Sequence, residues 1–314
     1  MKILATLDLT PRHCEEIQSS VDNVEILQAS SLDDAERLIP EVEILIGEFS
    51  PELFGRAKNL RWVQTWGAGV DGLLFKEFVE SEIILTSAKG TVGVHLAEHA
   101  MALLLSLSRG ITQAVRGPQW GNRMLIRQAS WELIGKTLGI IGMGGTGLDV
   151  AKRANAFGMR IIAVDPEDVQ LPNYVSWCRR MDAFHNLLGE SDVVVICAPL
   201  TRETERMFNH AAFNVMRAQA FLINVTRGKI VDEDALMEAL RRQKIGGAGL
   251  DVTPQEPLPD GHPLWQMSNV IITPHTAGGS PNRDDRLVDL FCQNLKRYMA
   301  GEPLLSVIDK RKEY

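Results

Sequence analysis

The chain has 314 residues, 45% of them apolar and 23% charged, which at roughly 150 residues per domain predicts two ordinary globular cores. Lys plus Arg number 33 against 40 Asp plus Glu, and the resulting net charge of −7 argues against a nucleic-acid binder, which needs a concentrated basic face. Cys14, Cys178, Cys197 and Cys292 form no C-x-x-C pair, and neither a secretory leader nor a bilayer-length apolar run is read; a reduced, cytoplasmic protein without structural metal, disulfide or membrane contact is expected.

In chain order, runs rich in β-branched residues predict strands at 2–8, 24–29, 42–47, 60–66 and 83–87, then at 137–142, 160–165, 192–198, 221–225, 247–252 and 269–273. Most are continuous apolar runs (ILATL, DVVVICA, NVIIT), the pattern of strands covered by helices on both faces. Eleven such strands are too many for one compact sheet, so the expected class is α/β with two doubly wound parallel sheets. Residues 94–109, VHLAEHAMALLLSLSR, are apolar on most faces and predict a buried helix that bridges the domains or lies in a subunit interface. The segment 117–130, with GPQWGN early, breaks helical periodicity and predicts an irregular surface crossing. Residues 285–299 set Leu287, Leu290, Phe291, Leu295 and Tyr298 on one helical face, with Gly301 and Pro303 as the stop.

The stretch 136–147, KTLGIIGMGGTG, is a strand running into Gly142-x-Gly144-x-x-Gly147, with Gly145 and Thr146 inside the turn. A helical stretch follows, then a second strand ending in Asp165. The glycines would serve a tight turn, close approach of the backbone to a pyrophosphate, and close helix–strand packing. The helix start offers free N–H groups and partial positive charge to the phosphates. At the strand end, the Asp165 carboxylate can accept the adenosine ribose hydroxyls and would repel a 2′-phosphate, while Pro166, Glu167 and Asp168 supply no cation. NAD is therefore expected over NADP.

Three later motifs each end a predicted strand: NVTRGKIVD at 224–232, GLDVTPQEP at 249–257 and TPHTAGG at 273–279. In an open parallel sheet such ends border the ligand crevice, so Arg227, Glu256 and His275 are expected to converge there. Hydride addition to a ketone builds negative charge on oxygen and calls for a proton donor and a cationic anchor. Imidazole suits the first task, and Glu256 beside it would orient the ring and favour the imidazolium. The planar fork of Arg227 suits a substrate carboxylate and the adjacent carbonyl, which together describe a 2-oxo acid.

Over nearly its whole length the chain resembles the D-isomer-specific 2-hydroxyacid dehydrogenases, through GIIGMGGTG, DVVVICAPLTRETERMFN, NVTRGKIVDEDALMEAL, GLDVTPQEPLPDGHPLW and NVIITPHTAGG. The resemblance implies Arg227 as substrate anchor, Glu256 and His275 as the acid/base pair, and Asp251 as holder of the nicotinamide amide. It also implies Pro199, Thr204, Val225 and Thr226 along the cofactor, and Ala277 and Gly278 beside the nicotinamide. The loop TWGAGVD at 65–71 would bind the substrate carboxylate through the N–H groups of Ala68 and Gly69, and WGAGVD is similar to the glyoxylate/hydroxypyruvate reductase branch, in which NADP is common. Trp66, Met124 or Trp131 would shape the side-chain pocket, with ordinary packing as the alternative.

By the same resemblance a Rossmann cofactor domain (98–283) would be inserted into a flavodoxin-like substrate domain (1–97 plus 284–314), in a homodimer. Thr146 and Thr276 depart from the aliphatic residues usual at their positions. Two other functions fit parts of the sequence. His95–His99 reads H-x-x-E-H, an inverted zinc-peptidase pattern, although the apolar continuation of the helix suits burial better than a metal cleft. A non-enzymatic NAD(H)-sensing module of the corepressor type is the other; the intact Arg227, Glu256 and His275 set favours turnover.

Overall fold

Ile44–Ile46 and Val193–Ile196 are buried at every position, as strands sandwiched between helices must be. The computed structural model describes residues 1–117 and 120–314; Pro118 and Gln119, in the predicted GPQWGN crossing, lie outside the described residues. Two compact units result, Met1–Val92 with Ser280–Tyr314, and Gly93–Gly279, so the first is interrupted in sequence by the second.

The first unit holds β1 (Lys2–Ala5), β2 (Glu25–Gln28), β3 (Ile44–Ile46), β4 (Trp62–Gln64) and β5 (Ile84–Thr86). All pair in parallel in the order β2-β1-β3-β4-β5, the flavodoxin-like arrangement. Alternate side chains divide between two cores. Leu4, Leu45, Val63 and Phe78 lie on one face, and Ile3, Ile44, Ile46 and Trp62 on the other with Val288, Phe291 and Leu295. The last three belong to the helix Arg283–Ala300, whose apolar stripe was legible, and Gly301 ends it in the left-handed conformation at φ +69°.

The second unit holds β6 (Thr137–Ile141), β7 (Arg160–Val164), β8 (Val175–Arg179), β9 (Val193–Ile196), β10 (Phe221–Asn224), β11 (Gly247–Leu250) and β12 (Val270–Ile272). Their order is β12-β11-β10-β9-β6-β7-β8, again wholly parallel, the dinucleotide-binding order extended by one strand. The helix Gly93–Ser108 is buried inside this unit, where Leu103 packs so closely on β11 that a Cβ on Gly249 would come within 2.9 Å of it.

Two readings of the sequence need correction. The strand β8 was not predicted: VSWCR is half-exposed and pairs only with β7 at the sheet edge, so it lacks the continuous apolar signature of a central strand. Within the supposed irregular crossing, Arg123–Ala129 is a helix with no buried residue, which leaves no apolar stripe for periodicity to detect. For Trp131 the structure shows the packing alternative. Its ring stacks on Phe221 at 5.0 Å, against the first residue of β10 and so at the edge opposite the strand ends that carry the predicted site. Among the described residues, no helix is long and apolar enough to cross a membrane.

Candidate active site

Because every strand of the second unit runs in parallel, the loops after β6, β9, β10, β11 and β12 all leave one edge of its sheet. Strand order reverses between β6 and β9, where such sheets open a crevice. The glycine turn sits at that point. Gly142 closes β6 at φ +92°, and a Cβ there would lie 2.9 Å from the Ala198 nitrogen after β9; one on Gly147 would lie 2.1 Å from the Gly142 carbonyl oxygen. Neither position admits a side chain. Gly144 differs, since a Cβ there would meet nothing within 4 Å. It precedes the twelve-residue helix Gly145–Ala156, whose first turn contains Gly145, Thr146 and Gly147. Bare backbone facing open space at a helix N-terminus fits the pyrophosphate of a dinucleotide.

Asp165, next after β7, ties this turn to its neighbour: Oδ2 accepts the Met143 N–H at 2.7 Å and Oδ1 the Glu167 N–H at 2.8 Å. Residues 166–168 carry no cation, but the unpredicted strand β8 runs beside this position. The Asp165 N–H donates to the Arg179 carbonyl at 3.0 Å, so the end of β8 brings Arg179 and Arg180 alongside. Burial and the Asp165 carboxylate push the Cys178 thiol up to about 11, with Arg180 acting in the opposite sense. Arg179 lies 4.7 Å from the Trp177 ring centroid, and Arg180 pairs with Asp168 at 2.9 Å.

After β9, Thr204 Oγ1 donates to the Pro199 carbonyl at 2.7 Å and accepts the Thr201 N–H at 2.8 Å, which folds the predicted pair into one turn. After β10, Val225 is buried, and the Thr226 N–H donates to Asn224 Oδ1 at 3.1 Å. Arg227 follows, its carbonyl accepting Asn224 Nδ2 at 2.9 Å and its Nη1 donating to the Thr226 carbonyl at 2.9 Å. A Cβ on Gly228 would fall 1.9 Å from the Thr253 carbonyl carbon. The arginine segment is thus pressed backbone to backbone on the loop that carries Glu256.

Glu256 and His275 meet directly, Oε2 to Nδ1 at 2.7 Å, and the other oxygen of Glu256 accepts the Thr253 N–H at 3.0 Å. Both remain accessible, with side chains 37% and 48% exposed. Asp251 is the reverse case at 1%. Its Oδ1 accepts the Thr273 hydroxyl at 2.6 Å and the Thr276 N–H at 2.9 Å, and its Oδ2 accepts the Ala277 N–H at 2.9 Å. The Thr276 hydroxyl reaches the same Oδ1 at 3.4 Å, a contact that the usual aliphatic residue would lack. In this arrangement Asp251 underpins the turn of His275, whose N–H donates to the Asp251 carbonyl at 2.8 Å. Ala277 is buried behind that turn, and Gly278 next to it is open, with nothing within 4 Å of a Cβ.

Arg227, Glu256, His275, Asp251 and the glycine turn thus share one edge of one sheet. Ala68 and Gly69 belong to the other unit, in the loop after β4, where the Thr65 hydroxyl donates to the Gly67 carbonyl at 2.7 Å. Trp66 lies in that unit too, with the Arg283 guanidinium 5.8 Å from its ring centroid, and Met124 is 57% exposed on its helix. Sequence reasoning missed Thr273 and His99. The ring of His99 lies against Thr273 and Asp251, beside the turn that carries His275.

Residues 101–277 match the family model for the D-isomer specific 2-hydroxyacid dehydrogenase NAD binding domain. The chain is 35% identical over 268 residues to a glyoxylate reductase from Korarchaeum cryptofilum (strain OPF8), covering 83% of this chain and 80% of that one. Among solved structures, a D-isomer specific 2-hydroxyacid dehydrogenase family protein from Aeromonas salmonicida subsp. salmonicida A449 superimposes with a TM-score of 0.81 at 32% identity, over 98% of this chain and 99% of that one. The NADPH-dependent glyoxylate/hydroxypyruvate reductase of Sinorhizobium meliloti, solved with NADP and sulfate, gives a TM-score of 0.82 at 27% identity, over 100% and 99%.

Proposed function

This chain belongs to the D-isomer-specific 2-hydroxyacid dehydrogenases, enzymes of NAD(P)-dependent 2-hydroxyacid oxidoreduction, and on that premise we propose that it reduces a small 2-oxo acid of the glyoxylate or hydroxypyruvate kind to the D-2-hydroxy acid. The observation that carries this reading is the 2.7 Å contact between Glu256 and His275 on the sheet edge that also bears the glycine turn. Glu256 holds Nδ1, which leaves Nε2 to keep a proton and deliver it to the carbonyl oxygen as charge develops there. Arg227 takes the substrate carboxylate and polarises the neighbouring carbonyl through its fork. A bound nicotinamide dinucleotide supplies the hydride. Gly142, Gly144, Gly145, Thr146 and Gly147 would hold its pyrophosphate, with Pro199, Thr204, Val225, Thr226, Ala277 and Gly278 along its length. Asp251 serves the nicotinamide end by fixing the 275–277 turn. Ala68 and Gly69 enter as carboxylate donors on the resemblance of their loop alone.

Relatives that are glyoxylate and glyoxylate/hydroxypyruvate reductases support a small substrate, and the test is direct. Oxidation of NADH and NADPH, followed at the nicotinamide absorption band, is measured with glyoxylate, hydroxypyruvate, pyruvate, and branched and aromatic oxo acids. The highest kcat/KM is expected with one of the first two. Failure of every oxo acid while NADH still binds would favour a non-enzymatic dinucleotide-binding module instead.

For the cofactor we favour NADH. The Asp165 carboxylate, fixed by two backbone donors, would stand against a 2′-phosphate, and Arg180 is engaged with Asp168. With arginines already at the end of β8, Asp165→Ser needs no added cation: the NADH-over-NADPH ratio of kcat/KM is expected to fall by roughly 10–100-fold. An unchanged ratio, or a wild-type enzyme that prefers NADPH, would defeat this assignment. The free cysteines suit a reducing, cytoplasmic setting. Exposed Val115, Trp120, Met124, Leu125 and Ile134 of the second unit support a homodimer that covers apolar side chains.

A further inference from the structure

The ring of His99, on the helix Gly93–Ser108, lies with Nε2 2.8 Å from Thr273 Oγ1 and 3.3 Å from Asp251 Oδ1. The Thr273 hydroxyl gives its single proton to Asp251 Oδ1 at 2.6 Å. With that proton committed, Oγ1 can meet the imidazole only as an acceptor, so Nε2 must carry a hydrogen. Donation therefore runs from His99 to Thr273 to Asp251. On its other side Asp251 receives the N–H groups of Thr276 and Ala277 on its carboxylate and that of His275 on its carbonyl.

His275 has a particular need of this support. Its φ of +52° lies in the left-handed region, uncommon for any residue but glycine although histidine enters it more readily than most, and the surrounding hydrogen bonds hold the backbone there. Those surroundings are centred on a carboxylate 1% exposed, and a buried charge holds its place through its donors. Without the His99 hydrogen, Thr273 Oγ1 loses the donor that polarises its own bond to Asp251, and the carboxylate loses its neighbour at 3.3 Å.

We propose that His99 is a positioning residue, its Nε2–H acting through Thr273 and Asp251 to hold the left-handed backbone that aims His275. This rests on the acid/base reading of His275, and the contacts of His99 that carry it are those with Thr273 and Asp251. Its role is confined to geometry.

The test compares His99→Leu, which removes the donor, with His99→Gln, whose amide can donate from nearly the same place. His99→Leu is expected to lower kcat about tenfold, with KM for the oxo acid and Kd for NADH within about twofold of wild type, while His99→Gln recovers kcat to within about threefold. A purely structural contribution would move KM, Kd and Tm together and would not be rescued by Gln. Should His99→Leu fail to fold, Thr273→Val cuts the same relay and is expected to show the same loss of kcat. In the absence of any substrate, the amides of Thr276 and Ala277 should exchange with solvent faster in either variant than in wild type or His99→Gln. Wild-type kcat in His99→Leu, or exchange at those amides that does not change, would overturn the proposal. If wild type reduces no oxo acid, the functional reading falls by itself, and the exchange comparison still decides the positioning role.

Discussion

Replacing His275 with alanine is expected to lower kcat by roughly 10²–10⁴ while leaving NADH binding intact, the usual worth of a positioned general acid. The loss belongs in kcat because the proton is needed as charge builds on the carbonyl oxygen, whereas the proposed dinucleotide site is the glycine turn elsewhere on the sheet edge. Glu256 contributes by direction. Its Oε2 fixes one ring nitrogen, and its Oε1 is itself held by the Thr253 N–H, so the imidazole has one orientation to offer. A carboxylate that acts only through the ring adds nothing once the ring is gone, so His275→Ala combined with Glu256→Gln should be no slower than His275→Ala alone. Stopped-flow single-turnover rates with saturating NADH would measure this. A single-turnover rate that survives the loss of His275 would assign the proton to another donor.

The residues legible in the sequence are those whose task is dictated by backbone geometry or by a strand end. Gly142 and Gly147 could be read because a side chain at either would strike backbone. Arg227, Glu256 and His275 could be read because each follows a continuous apolar strand, and parallel strands bring their ends to one edge; the Asp251 N–H on Asn224 and the Thr273 N–H on Leu250, both at 2.9 Å, keep those ends level. What stayed hidden depends on lateral neighbours. The Arg179 carbonyl meets the Asp165 N–H through an edge strand too exposed for an apolar signature. His99 meets Thr273 across 174 positions, and its helix displays burial but not which side chain meets which. Trp131 shows why two readings stayed open: an aromatic in a predicted crossing fits a pocket or plain packing, and which end of the sheet it covers is not encoded locally.

Arg227→Gln is expected to lower kcat/KM for the oxo acid by roughly 10²–10³, since a bidentate charge-assisted pair with the substrate carboxylate is lost, and the carboxylate is left with fewer donors. Charge alone should not restore it. Arg227→Lys keeps the cation but replaces a planar fork by a point charge, so it is expected to recover only a small part of the loss. The backbone offers little room for compensation: Gly228 is pressed against Thr253, and the Arg227 carbonyl is held by Asn224, so a shorter side chain cannot be carried forward by a shift of its segment. A change in substrate separates anchoring from folding. For an aldehyde or ketone without a carboxylate, wild type and Arg227→Gln should differ by only about threefold, because the missing interaction has no counterpart to lose. Equal penalties on both substrate classes would mean that the guanidinium serves the architecture of the loop, and the anchor would have to be sought elsewhere.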